Sequence, residues 1–485
     1  MPLSVTLGGY NVDVQALAKR LTGASEAEGG ALSPETIAAA YARISRDPRH
    51  VSDLRSDSCR EVERARKSNR TIIFDMGHAS VSEHAVFNLD ISGLSRLAVE
   101  ALEHHRLASY TEKSQRYVRL EGGVVVPEEI KKIGLEQHFR ALVDELAAAY
   151  HTIAAELTTR ARAGATAHAK QRDIESRANE DARYVLPLCA ETQLGMTVNA
   201  RTLELMISRF QSHNLFEMKD LGKALWEATA AAAPSLIRYP GPTQYFQDSP
   251  ENLRSRAKEY FPGQSSTQTE KPVVLQNYTP DPDMTVAAAL LYPYAQCSFA
   301  EYRERVQTRD QGKLQNVFAT IYHSMEQWDA LPRAFELVDF TFEITLSAAA
   351  FAQLKRHRMA TVLTQDYDPR LGRTVPEAIT RAGLKDMFAA QLDRAEELHQ
   401  EIGARAPEAA AYVLTNAHRR RVLMQLNARD LGHLSRLRCD HEAQWDIRDL
   451  ASEMVVQAQK VMPLAGAFYG GKDCVGELKQ AIADW

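Results

Sequence analysis

The chain has 485 residues, 45% of them hydrophobic and 25% charged, with a formal net charge of −5. That is enough apolar material for two substantial cores, and the acidic balance excludes a general nucleic-acid binder, which carries a basic excess or stripe. The cysteines (Cys59, Cys189, Cys297, Cys439, Cys474) are scattered, odd in number and without CxxC spacing, so neither a disulfide framework nor a metal site is expected.

In chain order, the first unit begins with a short β-branched stretch, VTLGGYNVDVQALA (Val5 to Ala18). Ala85 to Ile91 (AVFNLDI) alternates apolar and polar residues with period two, which predicts a strand running into an apolar helix. Glu129 to Ala167 is rich in Ala, Leu and Glu and predicts a long helix. Asn199 stands before helical periodicity, where Asn is a good N-cap. Residues 240–271 turn rich in Pro, Gly, Ser, Thr and Gln and read as a linker.

The elements then return in the same order: VVLQNYTPDPDMTVAAA (Val273 to Ala289), a second alternating strand VDFTFEI (Val338 to Ile344), a helix over Asp386 to Arg405, and Asn427 before another helix. Longer blocks correspond as well. Leu337 to Arg358 repeats His84 to Arg106, and Val413 to Leu450 repeats Val185 to Leu221. Matches in one order over nearly the full length of each half indicate a duplication. The expected class is α+β: two tandem copies (1–239 and 272–485) of a helix-rich domain around a small antiparallel sheet. No apolar run approaches the roughly 20 residues of a membrane helix, and no signal peptide is evident, so a cytoplasmic protein is expected.

Two stretches carry chemistry. Arg356-His357-Arg358 fans around a helix end, with Gln353 one turn upstream. Cations there complement the helix dipole without a ligand, but two arginines flanking a histidine also suit a diphosphate and a planar ring. Glu112-Lys113-Ser114-Gln115-Arg116-Tyr117 packs a carboxylate, a hydroxyl and a guanidinium together, the equipment of a phosphate-sugar pocket or of a polar loop. Arg183 lies in an apolar context, where a charge needs a partner or a ligand.

MGHASVSEH, ISGLSRL, HHRLASYTEKSQRYV, EDARYVLPL, ETQL, TVNARTL and EAQWDIRDL together resemble the flavin-dependent thymidylate synthases. The resemblance implies an enzyme that methylates dUMP to dTMP, taking carbon from methylene-tetrahydrofolate and electrons from NADPH through FAD. It implies that Ser80, Glu83, Arg356, His357, Arg358, Asn427 and Arg429 hold FAD. Gln353 and Arg356, with Glu112, Ser114, Gln115, Arg116, Arg183 and Arg438, would hold the nucleotide, and Ser114 and Arg438 would be catalytic. The family is homotetrameric with sites between subunits, so a homodimer forming a pseudo-tetramer is expected.

The two copies depart from the family in opposite places. The first half has Ala101 and His104 where the second has Gln353 and Arg356; the second half lacks the Ser-x-Arg-Tyr motif and has Ala411 opposite Arg183. Each half keeps what the other lost, so one composite pocket per chain is expected. The alternatives are the same flavin chemistry on another pyrimidine nucleotide, or a non-catalytic flavin- or nucleotide-binding protein.

Overall fold

A computed structural model of the chain describes residues 2–23, 30–118, 123–163, 170–238, 241–263, 271–307, 311–483 and 485. Each half builds one four-stranded antiparallel sheet. In the first half the strands are β1 (Ser4–Tyr10), β2 (Val86–Ser95), β3 (Ala108–Glu112) and β4 (Glu191–Asn199), in the order β1-β2-β4-β3. In the second they are β5 (Val273–Tyr278), β6 (Asp339–Ser347), β7 (Thr361–Thr364) and β8 (Arg419–Asn427), in the matching order β5-β6-β8-β7. Even an irregularity repeats: β1 shifts register between Leu7 and Gly9, and β5 between Leu275 and Asn277.

The local chemistry repeats too. The alternation in β2 buries Phe87, Leu89 and Ile91, and that in β6 buries Phe340, Phe342 and Ile344. Each strand runs into a short helix, Arg96–Glu103 or Ala348–Leu354. Ser95 and Ser347 cap those helices by accepting from the backbone N–H of Ala98 and Ala350, each at 3.0 Å. Asn199 and Asn427 cap the helices Ala200–Gln211 and Ala428–Arg438 in the same way.

The halves meet about a pseudo-twofold axis that the hydrogen bonds make explicit. Leu188 N–H donates to Leu414 O at 2.8 Å, and Asn416 N–H, in the equivalent place, donates to Leu186 O at 2.9 Å. Tyr184 donates its phenol to Asp446, which also accepts from Ser347; Tyr412 donates to Glu217, which also accepts from Ser95. The helix Glu136–Ala163 packs on its counterpart Lys385–Gly403, whose Phe388, Leu392 and Leu398 enter the first half's core. The second sheet has its own core around Phe340, Phe342 and Met424.

Two expectations need correction. The helix expected over Glu129 to Ala167 is broken at Gly134, which takes a positive φ of 75°, into Glu128–Lys132 and Glu136–Ala163; residues 164–169 lie outside the described residues. The linker is not featureless. It holds a helix, Gln244–Tyr260, capped by Thr243 and with no buried side chain, because ENLRSRAKEY favours helix once Pro250 is passed. The boundary at 239/240 and residues 264–270 lie outside the described residues.

Candidate functional site

A cavity of about 510 Å³ opens where the two basic clusters face each other across the pseudo-axis. Arg356, His357 and Arg358 line it from the second half and Arg106, Glu83 and Asn199 from the first. Arg358 lies over the Tyr110 ring at 5.1 Å, while Arg106 is committed to the carbonyl of Ala360 at 3.0 Å. Three guanidinium groups over apolar walls can take a diphosphate and a flat ring. Asp430 and His433, one helical turn apart, complete the rim.

Not every expected cofactor residue reaches this cavity. Glu83 does, whereas Ser80 is exposed and outside the lining. Asn427 spends its side-chain oxygen on the helix cap, and Arg429 is tied to Leu331 O and Glu336. Asn199, the first half's equivalent of Asn427, stands in the wall instead.

Beside the cavity the nucleotide candidates converge from both halves. Arg116 donates to Glu442 O at 3.0 Å and is ion-paired with Glu180. Gln115 accepts from Asn416 at 3.1 Å, and Asn416 also donates to Arg183 O at 2.8 Å. Gln353 reaches Gln444 at 3.4 Å, and Gln444 donates to the Tyr184 phenol at 2.9 Å. Arg438 donates through Nε to His357 Nε2 at 3.1 Å and through Nη2 to Gln353 O at 3.2 Å. Glu112 is ion-paired with Arg96. Burial alone would raise its pKa, but Arg96, Lys355 and Arg356 draw it below the ordinary carboxylate value.

The electrostatics are unbalanced in one direction. Arg183 is 7% exposed, and its Nε and Nη2 have no hydrogen-bond partner. Burial pushes its pKa down. Arg438 is pushed down to about 10 by burial and then by Arg356, and its bonds among the described residues go to neutral partners, His357 and Gln353 O. His357 is held neutral, with a pKa lowered to about 3 by burial, Arg438 and His433. Since its Nε2 accepts from Arg438, its proton sits on Nδ1. Buried cations without counter-ions are costly unless a ligand supplies the negative charge.

Reading the sequence missed Gln444, Arg96, Asn199 and His433. Gln444 sits in EAQWDIRDL, a block that carried the resemblance without any residue in it being given a role.

Residues 31–235 and 274–464 both match the family described as thymidylate synthase complementing protein. A UPF0159 protein of Thermoplasma acidophilum is 26% identical over 88% of this chain and 92% of its own. A flavin-dependent thymidylate synthase of Clostridium tetani is 31% identical over 47% of this chain and 90% of its own. Among solved structures, a flavin-dependent thymidylate synthase of Helicobacter pylori in complex with FAD and dUMP is 22% identical, covering 48% of this chain and 98% of that one, with a TM-score of 0.33.

Proposed function

The chain belongs to the thymidylate synthase complementing family, and from that membership we propose that it is a flavin-dependent methyltransferase converting dUMP to dTMP at one site composed from both halves. The observation that carries the reading is a pair of guanidiniums from different halves, the buried Arg183, with Nε and Nη2 unbonded and only Glu180 nearby to answer its charge, and the half-buried Arg438, neither of them ion-paired among the described residues. An anionic ligand relieves that imbalance, and a nucleotide monophosphate matches its two ends. Ser114, Arg116 and Arg183 grip the phosphate. Gln353 and Arg438 face the base, where the Arg438 guanidinium favours negative charge at N3. Ser114 Oγ already accepts from Arg116 N–H at 3.2 Å, which leaves its own hydrogen for the ligand.

The adjacent cavity suits FAD. Arg356 and Arg358 clamp the diphosphate and His357 stays neutral and orients Arg438, while Asn199, its oxygen held by the helix cap, offers its amide N–H and Glu83, paired with Arg201, its second oxygen. Bound flavin would supply the two electrons that carry a methylene unit from methylene-tetrahydrofolate to the methyl level, with NADPH restoring them. The protein's own work is orientation and exclusion of water.

The test is to titrate the purified protein with FAD and then dUMP, and to assay dTMP with methylene-tetrahydrofolate and NADPH. A yellow protein that binds dUMP and forms dTMP is expected. A flavin-loaded protein that ignores dUMP but methylates another uracil nucleotide would move the substrate. A colourless protein indifferent to FAD would overturn the reading in favour of a non-catalytic role.

A further inference from the structure

Duplication gives each chain two pseudo-symmetric places for a nucleotide. We infer, resting on the function proposed above, that the chain has closed the second with its own side chains and takes a single nucleotide. Strand register fixes the equivalences. Ser109 pairs with Thr197 in the first sheet as Thr361 pairs with Gln425 in the second, and Lys113 N–H donates to Gln193 O just as Gln365 N–H donates to Arg421 O. Tyr367 therefore stands where Gln115 stands, Asp368 where Arg116 stands, Arg420 where Thr192 stands, and Glu100 where Ala352 stands.

On the side assigned to the nucleotide these positions carry the smaller Gln115, Thr192 and Ala352, with the Gln115 amide nitrogen and the Thr192 hydroxyl buried and unbonded. On the other side the larger residues fill the space between the halves. Tyr367 is 4% exposed and packs with Leu188, Ala348 and Leu414, where its counterpart Gln115 instead bonds Asn416. The Tyr367 phenol donates to Glu100 at 2.7 Å. Arg420 donates to the other oxygen of Glu100 at 2.8 Å and to Gln365 O at 2.8 Å, and lies 4.2 Å from the Tyr367 ring centre and 4.9 Å from that of Phe351. Charge, ring and hydroxyl satisfy one another across the two halves.

The contrast with the nucleotide side is the decisive point. There, Arg183 keeps donors without partners; here, Arg420 has all its charge answered by Glu100. The phosphate-gripping Arg116 is replaced by Asp368, whose carboxylate is spent on the backbone N–H and guanidinium of Arg370, so this position offers no cation for a phosphate. Arg356 is replaced by His104, which burial, Arg209 and Arg106 push further toward neutrality. The space left beside Glu100 and His104 is about 90 Å³, room for about three waters at ~30 Å³ each and not for a nucleotide. The lost site has become a strut that joins the helix Arg96–Glu103 to β8.

Calorimetric titration of the FAD-loaded full chain with dUMP tests this. One equivalent per chain is expected, falling to none in Arg116→Ala and staying at one in Tyr367→Phe, which keeps the ring that fills the pocket. Two equivalents in the wild type, or one equivalent surviving in Arg116→Ala, would overturn the closure and the single site while leaving the proposed flavin-dependent methylation of dUMP intact. No binding in the wild type would overturn both.

Discussion

Arg183 is a buried guanidinium with Nε and Nη2 unbonded. Leaving such a group unpaired costs several kcal/mol, so its removal has two separable consequences. Arg183→Met keeps or raises the thermal stability of the ligand-free protein, because the uncompensated charge is gone. The same change weakens dUMP binding at least about tenfold, since a charge-assisted bond to phosphate contributes roughly 1.5–3 kcal/mol. Melting curves with and without dUMP read both. Arg183 was legible in the sequence because a charge in EDARYVLP stands among apolar residues. Gln444 was not, since one amide gives no signal until folding brings it 3.4 Å from Gln353.

His357 gives a pH dependence. Its folded pKa of about 3 lies below the ordinary 6.5, so the unfolded chain takes up the proton first. The stability it contributes is complete above pH 6.5 and is lost as pH falls toward 3. His105 and His213, each lowered to about 4 chiefly by burial, act in the same sense. Denaturation midpoints should therefore fall between pH 7 and 5, and His357→Gln should fall less steeply than wild type. Equal slopes would remove His357 from the account. For FAD, Arg358→Ala should lose more affinity than Arg106→Ala, because Arg106 is already spent on Ala360 O. Flavin titration of the two variants settles the order.

At the scale of elements, the ends of the helices Arg96–Glu103 and Ala348–Leu354 meet near the pseudo-axis. Glu103 and Lys355 occupy equivalent positions there, are both buried and are ion-paired at 3.0 Å. Two identical copies would bring like charges together; the duplicated chain has split the position into opposite signs. Glu103→Lys or Lys355→Glu should each cost about 3–5 kcal/mol, the scale for breaking a buried pair, and the double reversal should recover most of it in chemical denaturation. Additive losses would mean the pair is not coupled. Strands and caps were readable because period-two alternation and Ser or Asn before an apolar run have local causes. The charge complementarity was not, because neither Glu103 nor Lys355 has meaning until the halves dock.

For the whole molecule, reciprocal hydrogen bonds between Leu186, Leu188, Leu414 and Asn416 join the two halves symmetrically. Duplication was legible from ordered repeats, and the opposite decay of the motifs pointed to a shared site; that the unused pocket was filled was not, because it depends on register. A homodimer, visible by sedimentation as two chains per particle, would complete the pseudo-tetramer. The central claim is that Arg116 and Arg438 serve one pocket within a single chain. Co-expressing full-length Arg116→Ala and Arg438→Ala chains and titrating the purified mixture with dUMP tests it directly. If the pocket forms within the chain, every chain carries a lesion in its own site and the mixture binds none, whereas wild type binds. Recovery of roughly a quarter of the wild-type sites, as random pairing of chains across a dimer would give, would contradict the account.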